Sequence, residues 1–382
     1  MKMKHIFRSA AVLSAAAVLL SASGCADTTW SFRTEEKTLS SGAWILHTYS
    51  AFYSAVEKYE EESGESFDAA KTNMKDLKIE GKDASEWIAA EAEKTAAAQL
   101  TMEKLVKELK IKVDETKLSE SNKDYKAMYN MYQKDIMETL GVSVDTYCDI
   151  NARGRYLSTE IFKALYGKGG TQEVTDEQLK KYYTDNYVDY YYLTGKLTTT
   201  NDDGETESVD DETKDKIMKR FGQYATMLNG GKTIDDMETQ YKTDFEVETV
   251  PSTQNAVNFE KSTMNEELKT FIKGLDEKKA GVTEIDGTYY MVYKRSISEK
   301  AEKIREVDDT KEEDQVAVSS GEAISRYTIL QEMKSDDFKK YQEDEQAKIT
   351  YEINNDCLNR YTVGRTIDII TQKAKDAAAK NG

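Results

Sequence analysis

LYGKGGTQEVTDEQLKKYYTDNYVDYYYLTGK, residues 165–196, is where the hydrophobic period of this chain changes. Upstream, Tyr147, Ile150, Gly154, Leu157, Ile161 and Leu165 step by three or four, which places them on one helical face, and Gly167 ends the run. A second helix begins at Thr175 with a capping box: the Thr175 hydroxyl reaches the Gln178 amide and the Gln178 side chain reaches back. Val174 and Leu179 stand where a hydrophobic staple packs, and the helix runs to Tyr183. From Tyr187 to Thr198 the residues are mostly Tyr, Val, Leu and Thr, and the stretch reads as a strand.

The mixed pattern continues downstream. An acidic loop, Asn201 to Glu212, precedes helices near Lys214–Leu228 and Ile234–Tyr241. That loop lacks a calcium-loop register and reads as solvated. Phe245, Val247, Thr249 and Pro251 suggest a strand, and Glu266–Leu275 a helix. Val282–Ile285 with Tyr289–Tyr293 predicts a hairpin turning at Asp286-Gly287. This order of elements makes one compact α+β domain over 188–297.

The flanks are helical. Trp30 to Leu39 is short and alternating, and Trp44–Tyr59 follows as a helix with Trp44, Ala51, Phe52, Ala55 and Val56 on one side. Asp83 and Glu86 form a second capping box, ahead of a stripe of Ile88, Ala92, Met102, Leu105, Val106 and Leu109. A third helix spans Asn122–Leu140, and Gly141 stops it. Beyond the α+β domain, Ser298–Ser320 is charged and aperiodic, a linker. Helices follow at Ile324–Lys334, Asp336–Glu345 and Val363–Ala379, with Ile349, Tyr351 and Ile353 alternating between them. The expected class is mainly α plus α+β. Its parts are a leader at 1–24, a helical domain at 25–187, the α+β domain at 188–297, a linker at 298–320 and a helical segment at 321–382.

The first 25 residues have the layout of an export signal. Lys2, Lys4 and Arg8 precede an apolar run from Ala10 to Leu20, too short to span a bilayer but suited to a cleavable leader. Ser21, Ala22, Ser23 and Gly24 lead into Cys25. Ala-Ser-Gly-Cys resembles the lipobox of bacterial lipoproteins, although Ala22 stands where leucine is usual. The resemblance implies cleavage between Gly24 and Cys25 and lipidation of the Cys25 thiol. An ordinary secretory signal with an incidental cysteine is the alternative. The formal charge is −18, and −21 once the three leader cations are removed. Such acidity repels nucleic acid and favours a solvated surface. Cys148 and Cys357 both lie among apolar neighbours and read as two separate buried thiols, with one bridge between them as the alternative.

Several stretches are similar to the PrsA/SurA-type extracytoplasmic foldases, in their lipid-anchored Gram-positive form. They are Trp30-Ser-Phe-Arg before a helix, IEGKDASEWI at 79–88, the stretch at 165–187, LNGGKTIDDMETQY at 228–241 and GVTEIDGTYYMVYKR at 281–295. The resemblance implies a helical chaperone module made from both chain ends, with 321–382 packing on 25–187 and a parvulin-like domain between them. Active parvulins carry one histidine on the first strand and one on the last. Here Tyr190-Tyr191-Tyr192-Leu193 occupies the first place and Tyr290 the second, and His5 and His47 are the only histidines in the chain. By the same resemblance a peptide groove is expected at Tyr191, Met264, Leu268 and Tyr290.

The function expected is a membrane-anchored chaperone or foldase-like lipoprotein that binds newly exported, unfolded polypeptides, with prolyl isomerase activity lost. No catalytic residue, metal, cofactor or nucleic acid is expected. The rivals are an active peptidyl-prolyl isomerase and a lipoprotein that docks one envelope partner. A Cys25→Ala variant should leave the membrane fraction for the medium or stay unprocessed; unchanged membrane retention on fractionation rules out the lipid anchor.

Overall fold

Ser40 and Gly64 bracket the first long helix, Ser41–Ser63. The Ser40 hydroxyl accepts the Ala43 amide at 3.1 Å, and Gly64 closes the helix at φ 71°, a conformation glycine adopts without strain. The computed structural model describes residues 27–200, 206–308 and 311–381. The leader with Gly24 and Cys25, and residues 201–205 of the acidic loop, lie outside the described residues. The architecture is mainly α plus α+β, in two units. The described residues up to Leu157 and those from Glu345 onward form the first, and Ser158–Asp344 form the second.

In the first unit Ser41–Ser63 packs against Ala84–Glu108 over a core of Phe32, Trp44, Phe52, Ile88 and Leu100. Both chain ends meet there. Trp30–Arg33 pairs on one side with Thr38–Ser40 and on the other with Glu352–Ile353, with Phe32 opposite Ile353. Asn354 donates its amide to Ser31 O at 2.8 Å, and Trp44 Nε1 donates to Tyr361 O at 2.8 Å. Ile367 and Ile370 of the final helix, Val363–Asn381, complete the core.

Three expectations for this unit change. Asp83 precedes the second helix without a side-chain cap; Lys82–Asp83 is drawn into a short ladder with Lys78–Ile79, and the Ala84 amide goes to Leu77 O at 3.0 Å. The third helix begins at Glu115, where the Asp114 carboxylate caps it, and a π turn at Tyr129–Gln133 interrupts it. A second π turn, Asp149–Arg153, breaks the run from Val144 to Tyr166. It carries Arg153, whose guanidinium holds the buried Glu103 carboxylate with Nε at 2.7 Å and Nη2 at 2.8 Å, and Asp149, which pairs with Lys37 at 2.7 Å. The two described cysteines, Cys148 and Cys357, are buried free thiols.

The second unit is built on a four-stranded antiparallel sheet. In spatial order its strands are Ser252–Asn258, Tyr187–Lys196, Thr288–Lys294 and Lys279–Ile285. Helices Asp211–Asn229 and Ile234–Phe245 cover one face through Phe221, Tyr224, Met237 and Tyr241. The short helix Glu266–Gly274 packs on the other through Leu268 and Ile272. The Thr175–Gln178 capping box forms as read. Asp286 (φ 48°) and Gly287 (φ 69°) make the hairpin turn with two positive φ angles. Gly195 is required by close approach, since a Cβ there would meet Ile217 at 2.5 Å.

Other boundaries move. Phe245 ends a helix, and the strand expected from it begins only after Pro251, at Ser252. Within 298–320, expected as a charged, aperiodic linker, the described residues contribute to the helices Ile297–Ala301 and Glu312–Ser319. Residues 324–345 do not form two helices, because Arg326–Gln346 is one. The unit reaches past 188–297 because Asp176–Asn186 and Ile297–Ala301 pack on each other and on the strand Tyr187–Lys196.

His47 supplies a test of the first unit. Its Nε2 lies 3.1 Å from Gln99 Oε1, and Gln99 Nε2 donates to Asp149 O at 3.4 Å, which orients the amide and puts the imidazole proton on Nε2. The Thr95 hydroxyl stands 3.1 Å from Nδ1. Burial holds the ring neutral and pushes its pKa down to about 4, with the Gln99 contact opposing. The unfolded chain therefore takes up the proton first. The stability is whole above pH 6.5 and declines as pH falls toward 4, by about 3 kcal/mol. All three tryptophans, Trp30, Trp44 and Trp87, belong to this unit. Urea unfolding followed by tryptophan fluorescence should show that decline, and His47→Asn should remove most of it; an equal decline in the variant rejects the assignment.

Candidate functional site

The four residues expected to line a groove do not share one surface. Successive side chains of a strand point to opposite faces. Tyr191 lies opposite Tyr293, whereas Tyr290 lies opposite Thr194. Tyr191 is buried under the two long helices, where its hydroxyl donates to Glu238 Oε1 at 2.8 Å. Desolvation first, then that carboxylate, pushes its phenol far up, although a contact with Ser252 works the other way.

Met264, Leu268 and Tyr290 gather on the other face, with Tyr190 and Tyr192 beside them in place of Tyr191. Tyr190 and Tyr192 stack at 5.8 Å between centroids, and Tyr290 meets Tyr192 edge-on at 5.5 Å. The helix Glu266–Gly274 packs on the strands Thr288–Lys294 and Lys279–Ile285, so Tyr192, Tyr290 and Met264 stay half-buried. Burial raises the Tyr190 pKa to about 12 and that of Tyr290 as well. These phenols are neutral hydrogen-bond donors at pH 7, unable to act as bases. The packed set on this face is aromatic and aliphatic, with Asp189 and Arg295 near Tyr190 and Asp286 near Tyr290. Its chemistry is stacking and apolar contact.

A cleft of about 590 Å³ opens along the helices Asp211–Asn229 and Ile234–Phe245. Its polar groups satisfy one another. Asp244 accepts from Tyr224 Oη at 2.9 Å and Gln240 Nε2 at 2.9 Å, with Arg220 3.4 Å away. No buried donor or acceptor is left there for a ligand. Among the described residues no group of three or more His, Cys, Asp or Glu could hold a metal ion, and no helix is long and apolar enough to cross a membrane.

A second surface, in the first unit, was not read from the sequence. At the π turn Tyr129 points inward, with its hydroxyl on Val142 O at 3.1 Å. Met131 and Tyr132 point outward, 68% and 73% exposed, beside Met128. On the helix Ser41–Ser63, Tyr49 donates to Gln133 Oε1 at 3.4 Å and packs edge-on with exposed Tyr53 at 5.0 Å. Large apolar side chains this exposed mark interaction surfaces, and methionine adapts to irregular partners. The signal was present: Tyr125, Tyr129, Ile136 and Leu140 make the core stripe, and Met131 falls nearly opposite it.

No protein-family model matches this chain, and no curated protein matches its sequence. Among solved structures it is similar to the crystal structure of foldase protein PrsA from Streptococcus pneumoniae str. Canada MDR_19A, at 16% identity and a TM-score of 0.27, over 70% of this chain and 88% of that one. It is also similar to PrsA from Bacillus subtilis, at 14% identity and a TM-score of 0.27, over 77% and 98% of the two chains. At such low identities and scores, function rests on this chain's own residues.

Proposed function

We propose that this protein is an extracytoplasmic chaperone, tethered by a lipid on Cys25, that binds unfolded polypeptides and has little or no prolyl isomerase activity. The observation that carries the reading is the exposure of Met128, Met131 and Tyr132 at one helical turn. A folded chain has no internal use for methionines and tyrosines so far out of its core. An unfolded client does, because its own apolar segments lose water against them. Unbranched methionine and two-torsion tyrosine adapt to many sequences without demanding one, which suits transient capture. The net charge of −18 keeps a loaded complex from associating further.

The neutral tyrosines in place of the family's histidines argue against an active isomerase. Rotation about a prolyl bond is accelerated only by groups that bind the twisted amide better than the planar one. Tyr192 and Tyr290 offer stacking, which favours both forms alike.

Two outcomes are expected. The mature protein should suppress aggregation of a chemically denatured test protein, and a Met131→Ser/Tyr132→Ser variant should need at least about fivefold more protein for the same effect, with stability unchanged within about 0.5 kcal/mol. Absence of suppression by the wild type, or equal suppression by the variant, sinks the reading. In a proline-peptide assay the isomerisation rate should stay within about tenfold of the uncatalysed one, less than about 1.4 kcal/mol of barrier lowering; clear turnover restores the enzyme.

A further inference from the structure

The two edges of the four-stranded sheet are treated differently. At Lys279–Ile285 the Asn229 side chain takes both backbone groups of Ala280, donating to its carbonyl at 2.9 Å and accepting its amide at 2.8 Å, as a neighbouring strand would. At Ser252–Asn258 no element among the described residues plays that part.

Alternation within the ladder shows which groups face outward. The Thr194 amide donates to Pro251 O at 3.3 Å. With the observed register, Thr253, Asn255 and Val257 therefore bond to Tyr192, Tyr190 and Val188. Ser252, Gln254, Ala256 and Asn258 direct their backbone groups away from the sheet. Local contacts occupy some of these: Ser252 N donates to Val250 O at 2.8 Å, Ala256 N to Asn255 Oδ1 at 2.9 Å, and Asn258 O accepts from Lys261 N at 3.2 Å. The Gln254 amide and carbonyl have no partner among the described residues. Ser252-Thr-Gln-Asn-Ala-Val-Asn258 holds no charge and no internal proline, the usual guards of an exposed edge.

We propose that this edge accepts an extended segment of a client polypeptide as a fifth strand, an inference that rests on the chaperone reading above. Backbone donors and acceptors at strand spacing are matched by another backbone, whatever its sequence. The added strand would lay alternate side chains beside Thr253, Asn255 and Val257, on the face that carries Tyr190 and Tyr192. Its other side chains would lie beside Ser252 and Gln254, where Arg295 contacts the Gln254 side chain at 2.8 Å. The segment that fits is uncharged, free of proline and alternately apolar and polar. A second copy of the chain fits poorly, since each copy carries −18.

The probe is a seven-residue peptide of alternating Thr and Val, blocked at both ends, with the mature full-length protein. Binding should protect the Gln254 amide from hydrogen exchange, and the same peptide with N-methylated valines should not bind. Gln254→Pro removes an amide the sheet does not use and should weaken binding at least about tenfold. Equal binding of the N-methylated peptide, an unprotected Gln254 amide, or unchanged affinity in Gln254→Pro would each overturn the inference. So would a dimer of the chain alone that Gln254→Pro dissolves, since the occupant is then a second copy. No strand addition, with aggregation suppression that depends on Met131 and Tyr132, rejects this site and leaves the chaperone reading standing. Strand addition without any suppression does the reverse.

Discussion

Pairing of Trp30–Arg33 with Glu352–Ile353 is the contact on which the first unit depends, because it joins the two ends of the chain. It places Phe32 at the centre of a core shared by the Ser41–Ser63 helix and the Val363–Asn381 helix. The separation in sequence, 319 residues between Arg33 and Glu352, is less costly than it looks. Closure entropy grows with the logarithm of loop length, so each doubling adds only about 0.6 kcal/mol. Burying Phe32 and Leu39, both within 1% of full burial, returns about 1.5–3 kcal/mol apiece. Asn354 secures the join by donating to Trp30 O at 2.9 Å and accepting the Cys357 amide at 3.2 Å.

In the second unit the governing constraint is strand alternation. Five tyrosines in and beside the first strand, Tyr183, Tyr187, Tyr190, Tyr191 and Tyr192, look interchangeable in sequence. The sheet separates them. Tyr191 becomes core with its hydroxyl on Glu238, and Tyr190 and Tyr192 become the floor of a half-open aromatic face. The rings at these positions offer stacking and apolar contact. Together with exposed Met131 and Tyr132, they are the features on which the proposed binding of polypeptide chains rests.

The elements that were legible before the structure share one property: their signals are local. The Thr175–Gln178 capping box, the Asp286-Gly287 turn and the hydrophobic stripe of Asp211–Asn229 depend on residues within a few positions of one another. The misread elements depend on distant partners. The π turns at 129–133 and 149–153 leave no mark in hydrophobic period, and in the second case the ion pairs to Glu103 and Lys37 are made by residues 50 and 112 positions away.

By itself the sequence determined the class, mainly α plus α+β, three of the four strands of the sheet and the absence of any histidine beyond His47, since composition, period and capping are properties of neighbouring residues. The expectation of an export leader ending at Cys25 rests on residue order alone. Tertiary structure alone decided which of Tyr190, Tyr191 and Tyr192 faces the open surface, that Met131 stands out from the core, and that the Ser252–Asn258 edge is open while Asn229 closes the other. Those facts follow from register and packing between segments far apart in the chain, which no local pattern encodes.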